Sequence, residues 1–285
     1  MSLNTHSVYT IAKKEFIDHI RNRWILILSI VFIILTLASS FLAAQESAGD
    51  QTLGGVKITV LALLSIAEIL IPILAIMLGF ATIAGEAESG SLALVLSYPV
   101  RRAEVLLGKF LGLGGILAFT SLLGFGISGI IITAFSGPDQ ILSYLAFIGL
   151  TILLGLAFLS PAICFSARLK RRITAMGAGI FLFFWSLFIY AAITEGIFFA
   201  TTKFSTAELA SGTITFPDWL WWSQALNPRD MYGSMVQRIF SSTSPVSYTI
   251  NLPSYAQLGL QLLFTCLWII IPLLLAYLLF RRRDI

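Results

Sequence analysis

Carboxylates are scarce in this chain, which has 14 acidic residues among 285, and three of them occupy positions that suggest a task. Glu68 lies inside the apolar run 58–82, where a charged group is costly and marks a functional-site candidate. We expect Glu68 to line a transport pathway or gate, or else to be protonated or paired within a helix bundle. Glu86 and Glu88 instead precede an apolar stretch and a basic pair, a pattern suited to docking.

Metal-binding and catalytic side chains are few. Met231 and Met235 stand four residues apart on a predicted helix, and thioethers suit Cu(I). However, no histidine or cysteine accompanies them, and methionines commonly fill gaps in packed interiors. The sequence contains no metalloprotease motif, nucleophile elbow or phosphate-binding loop. We therefore expect no catalytic residue, no cofactor bound by this chain and no metal site, with Met231 and Met235 as the only metal candidates.

The composition predicts a membrane protein. Hydrophobic residues make up 58% of the chain and charged residues only 11%, against about 25% charged in soluble domains. The mean hydropathy is +0.92. The formal charge of +4 does not indicate nucleic acid, because the basic residues flank the apolar runs, as they do in proteins oriented in a membrane.

Six apolar runs are each long enough to cross about 30 Å of hydrocarbon. They cover residues 24–44, 58–82, 105–135, 141–166, 173–200 and 256–280. Of the 18 Lys and Arg residues, 14 fall on one side of these runs, which places both termini in the cytoplasm. The predicted fold class is an all-α membrane protein with six transmembrane helices, forming one domain over residues 1–285 in the inner (cytoplasmic) membrane.

Two regions outside the apolar runs have a predicted structure. Residues 7–23 show apolar side chains at helical spacing and charges elsewhere, which predicts an amphipathic helix along the cytoplasmic interface. Residues 201–255 predict a small extracytoplasmic subdomain. Within it, Asn227 and Pro228 read as an N-cap and a first helical residue.

The cytoplasmic segment 85–102 is predicted to contact a partner. It begins with acidic residues, continues as a short helix with an apolar face, and ends in basic residues. A loop that merely joins two spans needs no apolar face in water, so either a cytoplasmic partner or the protein's own spans must cover it. The residues concerned are Glu86, Glu88, Gly90, Leu92, Val95, Leu96, Pro99, Arg101 and Arg102. Farther along, Gly108 and Gly112 have the spacing for close helix contact, within one subunit or between two.

Several passages together resemble the ABC-2 type permease family. They are residues 12–24, 85–92, 98–102, 107–110, 226–232 and 280–283, in order along nearly the whole chain. In that family an amphipathic elbow helix precedes six spans, and a glutamate-rich stretch after the second span leads into a coupling helix. Within the family the chain looks most like the permease subunits of transporters for maturation of the copper enzyme nitrous-oxide reductase. Ser91 departs from the pattern, which has threonine there.

The resemblance implies a permease subunit of an exporter and not an enzyme. Two copies would form the transmembrane pathway, and a separate ABC ATPase subunit would bind ATP and Mg²⁺ and push on the coupling segment 85–102. Glu86 and Glu88 would pair with basic residues of that ATPase, and an extracytoplasmic accessory protein is a further partner. The alternative is a secondary transporter or channel that needs no ATP; a membrane-embedded enzyme is the third reading.

Overall fold

The computed structural model describes residues 4–49, 55–136, 141–201, 217–241 and 257–283. All regular structure in these ranges is helical. The helices are α1 (Thr5–Ile20), α2 (Arg23–Gly49), α3 (Gly55–Gly79), α4 (Ala84–Glu88), α5 (Ser91–Ser97), α6 (Arg102–Ser136), α7 (Ile141–Arg168), α8 (Arg172–Phe184), α9 (Tyr190–Thr201), α10 (Asp218–Ser223), α11 (Pro228–Ser241) and α12 (Leu258–Arg281). A π-helical turn, Trp185–Ile189, joins α8 to α9, and a 3₁₀ turn, Gln224–Leu226, follows α10.

Five stretches of the described chain are long and apolar enough to cross a membrane. They are Ala62–Glu88, Arg102–Ile130, Ile141–Arg168, Arg172–Thr201 and Leu258–Arg281. A sixth is counted if α1 and α2 are taken together, although their described axes are bent by 73°. The protein is therefore a multi-pass α-helical membrane protein, as its composition predicts.

Helix α7 lies at the centre of the bundle, in contact with α3, α6, α8, α11 and α12. Most of its residues from Phe147 onward are buried, while Ile141, Leu142 and Leu145 in its first turns are exposed. Each of its buried hydroxyls is satisfied. Thr151 bonds the Tyr232 hydroxyl at 2.8 Å, and Ser160 donates to the Ile269 carbonyl at 2.5 Å. A buried polar group with a partner avoids the desolvation cost of an unpaired one.

Helix α1 lies along the first half of α6, and glycines make this contact possible. A Cβ atom added at Gly108 would come within 2.7 Å of the Ile11 Cβ atom, and one at Gly112 within 2.6 Å of the Ala12 carbonyl oxygen. The small-residue spacing on α6 therefore serves packing within this chain, the first of the two alternatives that the sequence left open.

The segment 85–102 contains two short helices where the sequence predicted one. Gly90 separates them with φ of +75°, a left-handed conformation that glycine adopts at little cost. The first amides of α4 have no helical partner, and the Ser166 hydroxyl accepts from Ile83 N and Ala84 N, each at 2.9 Å. Helix α5 ends at Ser97, and Tyr98 is extended, as expected of the residue before Pro99.

The region predicted as an extracytoplasmic subdomain is described in part. Residues 217–241 form α10, the 3₁₀ turn and α11, while residues 202–216 and 242–256 lie outside the described ranges. Asn227 caps α11, because its Oδ1 accepts from Arg229 N at 3.2 Å and Pro228 is the first helical residue. The predicted start of this helix is thus confirmed. One face of α11 is buried against α3 and α7.

The packing of α1 against α6 can be tested by two glycine substitutions on α6, one at the contact and one away from it. We expect Gly112→Ala to lower stability by about 1–3 kcal/mol, because the new methyl group meets backbone atoms of α1 and one helix must move. Gly126→Ala adds the same group to α6 where no atom lies within 4 Å, so its stability should stay equal or rise slightly. Thermal unfolding of the two variants in detergent measures the difference. Equal unfolding temperatures would contradict the packing of α1.

Candidate functional site

A buried ion cluster joins three parts of the chain where α1, α4 and α6 meet. The Lys109 ammonium lies 2.6 Å from Glu15 Oε1 and 2.7 Å from Glu86 Oε1. Lys109 belongs to α6, Glu15 to α1 and Glu86 to α4. His19 Nδ1 adds a longer contact of 3.5 Å to Glu15 Oε2. We call Lys109, Glu15 and Glu86 the Lys109 junction.

The burial of the Lys109 junction makes it a strong constraint. The Lys109 side chain is 2% exposed and that of Glu15 is 7% exposed. Removing one partner from a buried ion pair leaves an uncompensated charge and costs about 3–5 kcal/mol. By contrast, the pair between Glu88 and Arg172, with atoms 3.8 Å apart, is exposed, and such pairs contribute under about 1 kcal/mol. The orientation of α4 relative to α1 therefore depends on Lys109.

The two carboxylates predicted to pair with an ATPase both have partners within this chain. Glu86 pairs with Lys109, and Glu88 accepts a hydrogen bond from Arg172 N at 3.1 Å in addition to its longer ion pair. Glu86 is therefore held inside the bundle, because Lys109 lies close to the start of α6 and faces α4. A pairing of Glu86 or Glu88 with an ATPase stays a prediction.

The apolar face of α5 is covered by the protein itself, one of the two alternatives that the sequence left open. Leu92 is 1% exposed and packs into the core, and Leu96 packs against it in part. These two residues cover the protein's own spans, as the second alternative proposed. The exposed apolar side chains of the segment are instead Leu94 and Tyr98, at 65% and 64%. The side chain of Val95 lies outside the described part.

Basic residues tie the C-terminal helix to the same end of the bundle, which we call the basic end. Arg102 Nη1 donates to the carbonyls of Phe280, Arg281 and Arg283 at 2.6–2.9 Å. Carbonyls at a helix C-terminus lack helical donors, so a guanidinium stabilises them. The Glu104 carboxylate stabilises two backbone amides, because it accepts hydrogen bonds from Arg101 N at 3.0 Å and Asn4 N at 2.9 Å. Arg101 and Arg102 thus position the start of α6.

A second ion pair lies away from the basic end, where the middle of α3 meets the start of α11. Arg229 Nη2 donates to Glu68 Oε2 at 2.7 Å, and Arg229 Nη1 lies 3.7 Å from Asp230 Oδ1. Gly233 allows the approach, because a Cβ atom there would come within 2.9 Å of Glu68 Oε1. Glu68 is therefore paired inside the bundle with Arg229. The sequence had placed Arg229 in the extracytoplasmic region, away from the spans. A role in a transport pathway stays a prediction.

The N-terminus of α11 is held by the π-helical turn. Asn227 Nδ2 donates to the Ser186 carbonyl at 3.0 Å, and the Ser186 hydroxyl donates back to Asn227 Oδ1. A π-helical turn interrupts the regular α-helical bonding pattern. The Ser186 carbonyl is therefore available to accept the hydrogen bond from Asn227. Burial raises the pKa of the neighbouring Asp230 above its usual range, and the Arg229 charge offsets part of this effect.

The remaining candidates lie apart from both ion clusters. Met231 and Met235 are each 1% exposed and belong to the hydrophobic core. Among the residues that the structure describes, no group of three or more His, Cys, Asp or Glu could hold a metal ion. Sequence reasoning missed Lys109 and Arg229 as partners. The run of apolar residues along one face of 228–241 was the available signal that this helix enters the bundle.

The Lys109 junction predicts that replacing Lys109 with methionine destabilises the protein far more than replacing Arg172 with methionine. Lys109→Met should lower stability by about 3–5 kcal/mol, because Glu15 and Glu86 stay buried without a cation. Arg172→Met, which removes the exposed partner of Glu88, should cost under about 1 kcal/mol. Thermal unfolding of the purified variants tests this, and adding Glu15→Gln and Glu86→Gln to Lys109→Met should restore much of the loss. A mild effect of Lys109→Met alone would argue against a buried junction.

The Glu68–Arg229 pair predicts coupling between two positions 161 residues apart. Glu68→Gln and Arg229→Met should each destabilise the protein, and the double variant should lose less than the sum, because a single change strands a buried charge. Asp18→Asn, at an exposed position of α1, is the control and should change stability by under about 0.5 kcal/mol. Strict additivity of the two single changes in unfolding measurements would show that the pair does not form.

Comparison with known proteins agrees with this architecture. The family of ABC-2 family transporter proteins matches residues 9–285. The chain is 34% identical over 284 residues to the "Probable ABC transporter permease protein NosY" of Stutzerimonas stutzeri, covering 98% of this chain and 99% of that protein. It is 36% identical over 286 residues to the protein of the same name from Pseudomonas aeruginosa, with the same coverage. The chain therefore belongs to the ABC-2 family of transporter proteins, as an ABC transporter permease and not an enzyme.

Proposed function

We propose that this permease forms the transmembrane pathway of an exporter whose energy comes from a separate ABC ATPase subunit. In this proposal the basic end faces the cytoplasm, with six spans, both termini inside and α1 along the inner membrane interface. Two copies of the chain line the pathway, and ATP and Mg²⁺ bind to the ATPase. Residues 217–241 face the extracytoplasmic side, where an accessory protein can bind.

The observation that supports this proposal is the form of the segment 85–102. It exposes two apolar side chains, Leu94 and Tyr98, while the inner face of the same segment is fixed to the bundle by Leu92 and the Lys109 junction. A mechanical input needs an exposed contact on a stiff support, because a loosely held loop would absorb the movement. We therefore place the ATPase on Leu94 and Tyr98, not on Glu86.

The names of the relatives suggest the cellular process that the exporter serves. Two of them carry the name NosY, and the chain resembles permeases for maturation of a copper enzyme. We propose that this permease contributes to maturation of such an enzyme without holding the metal itself. The buried positions of Met231 and Met235 suit packing, and neither thioether is open to an arriving ion.

The docking face predicts which substitutions separate permease and ATPase. Leu94→Asp and Tyr98→Asp should each weaken ATPase association by about tenfold or more, because burying a new charge without a partner opposes binding. Tyr9→Asp changes an equally exposed tyrosine on α1, 66% against 64% for Tyr98, and should leave association unchanged. Co-purification of the ATPase from membranes in mild detergent, with quantified stoichiometry, provides the measurement.

Two outcomes would count against the proposal. Normal ATPase recovery with both aspartate variants would remove the docking face from Leu94 and Tyr98. A chain that purifies without any ATPase and transports in liposomes without ATP would favour the secondary transporter or channel instead.

A further inference from the structure

A cleft of about 750 Å³ opens at the basic end, between the segment 85–102 and the ends of α7 and α12. Its walls carry four cationic side chains, Arg168, Lys170, Arg282 and Arg283, and its apolar lining includes Leu92 and Leu279. Among the residues that the structure describes, no carboxylate lines it. Its volume is in the range of sites that hold a small molecule, about 300–1,000 Å³.

The positive charge of the cleft is not neutralised by the described part of the protein. The nearby carboxylates are engaged elsewhere: Glu86 with Lys109, Glu88 with Arg172, and Glu104 with backbone amides. Of the four cations, Arg283 is held in place, since its Nη1 donates to the Ser166 and Ala167 carbonyls at 3.0 and 3.2 Å. The other three form no ion pair within the described ranges. A cleft with this excess of positive charge attracts an anion.

The position of the cleft indicates which anion. One wall is the end of α12, which is a candidate membrane span and the least buried of those in the described chain. The cleft thus opens at the depth where a span leaves the hydrocarbon and lipid phosphates lie. Basic pockets between transmembrane helices at this level bind anionic lipid headgroups. The proposed docking side chain Leu94 does not line the cleft, whereas Leu92 does.

We propose that this cleft binds the phosphate headgroup of an anionic phospholipid, with Arg168, Lys170 and Arg282 as its electrostatic contacts and Leu92 and Leu279 against the apolar part. The bound lipid would fill the space between α5 and the ends of α7 and α12. Basic residues near a membrane surface are common for reasons of orientation alone, so the test must separate the cleft from the general charge of this end.

The experiment is a titration of the purified full-length chain with phosphatidylglycerol or phosphatidylcholine, followed by native mass spectrometry. The cleft variant is Arg168→Gln, Lys170→Gln and Arg282→Gln. Its matched control is Lys13→Gln, Lys14→Gln and Arg21→Gln, which removes three exposed positive charges from α1 and its end. Size-exclusion profiles and unfolding temperatures verify folding. Lys170→Gln alone, outside any helix, serves if the triple variant does not fold.

We expect phosphatidylglycerol to bind more tightly than phosphatidylcholine. The cleft variant should lose affinity on the order of 100-fold, because each surface cation contributes about fivefold, while the control variant should match the unmodified protein. Lys170→Gln alone should lose about fivefold. Equal losses in the cleft and control variants would show general surface charge and overturn the proposal.

Two further arms distinguish other occupants. Inorganic phosphate at millimolar concentration should leave the lipid bound; complete displacement would identify a site for free phosphate and contradict a lipid site. The lipid should also remain when the ATPase is added. Its loss on assembly, together with ATPase binding that depends on the three cations, would assign the cleft to an acidic protein surface and refute the proposal.

Discussion

The ammonium group of Lys109 is buried between two carboxylates that belong to distant parts of the sequence, and the arrangement of the basic end depends on it. A buried charge is tolerated only with good partners, so Glu15 and Glu86 must both stay within hydrogen-bonding distance. The close contact of α1 with α6 and the hydroxyl of Ser166 beneath α4 then follow as supports of the same geometry. Together these contacts hold the segment 85–102 in a fixed position against the bundle.

Helix α3 connects this junction to the other buried ion pair. Glu68 lies within α3, and Glu86 follows its end after a short turn. A displacement of the segment 85–102 would therefore reach α11 through α3, because Arg229 is bonded to Glu68. In the proposed function this is the route from the ATPase to the outer helices. The two ion pairs therefore link the middle of α3 to α11 and the following helix α4 to α1 and α6.

The sequence predicted the fold class, the membrane location and the start of α11, because each follows from composition or a local motif. Hydropathy identifies spans without knowledge of their neighbours, and Asn227 caps its own helix. It did not predict that Glu86 pairs with Lys109 or Glu68 with Arg229, since both pairs depend on which helices become adjacent. The direction of Leu92 was ambiguous for the same reason, because an apolar face on a short helix fits either a partner or the bundle.

In the proposed function, α1, α4 and α5 move as one body when the ATPase binds ATP. Spin labels at Lys14→Cys and Ala93→Cys measure this directly by pulsed electron paramagnetic resonance, in the permease–ATPase complex with Cys164 and Cys266 replaced by alanine. A second pair, Ala93→Cys and Gln237→Cys, spans the bundle. We expect the first distance to be the same without nucleotide and with trapped ATP, while the second changes. A first distance that shifts by several ångströms would show that the segment moves independently of α1 and that the Lys109 junction does not hold them together.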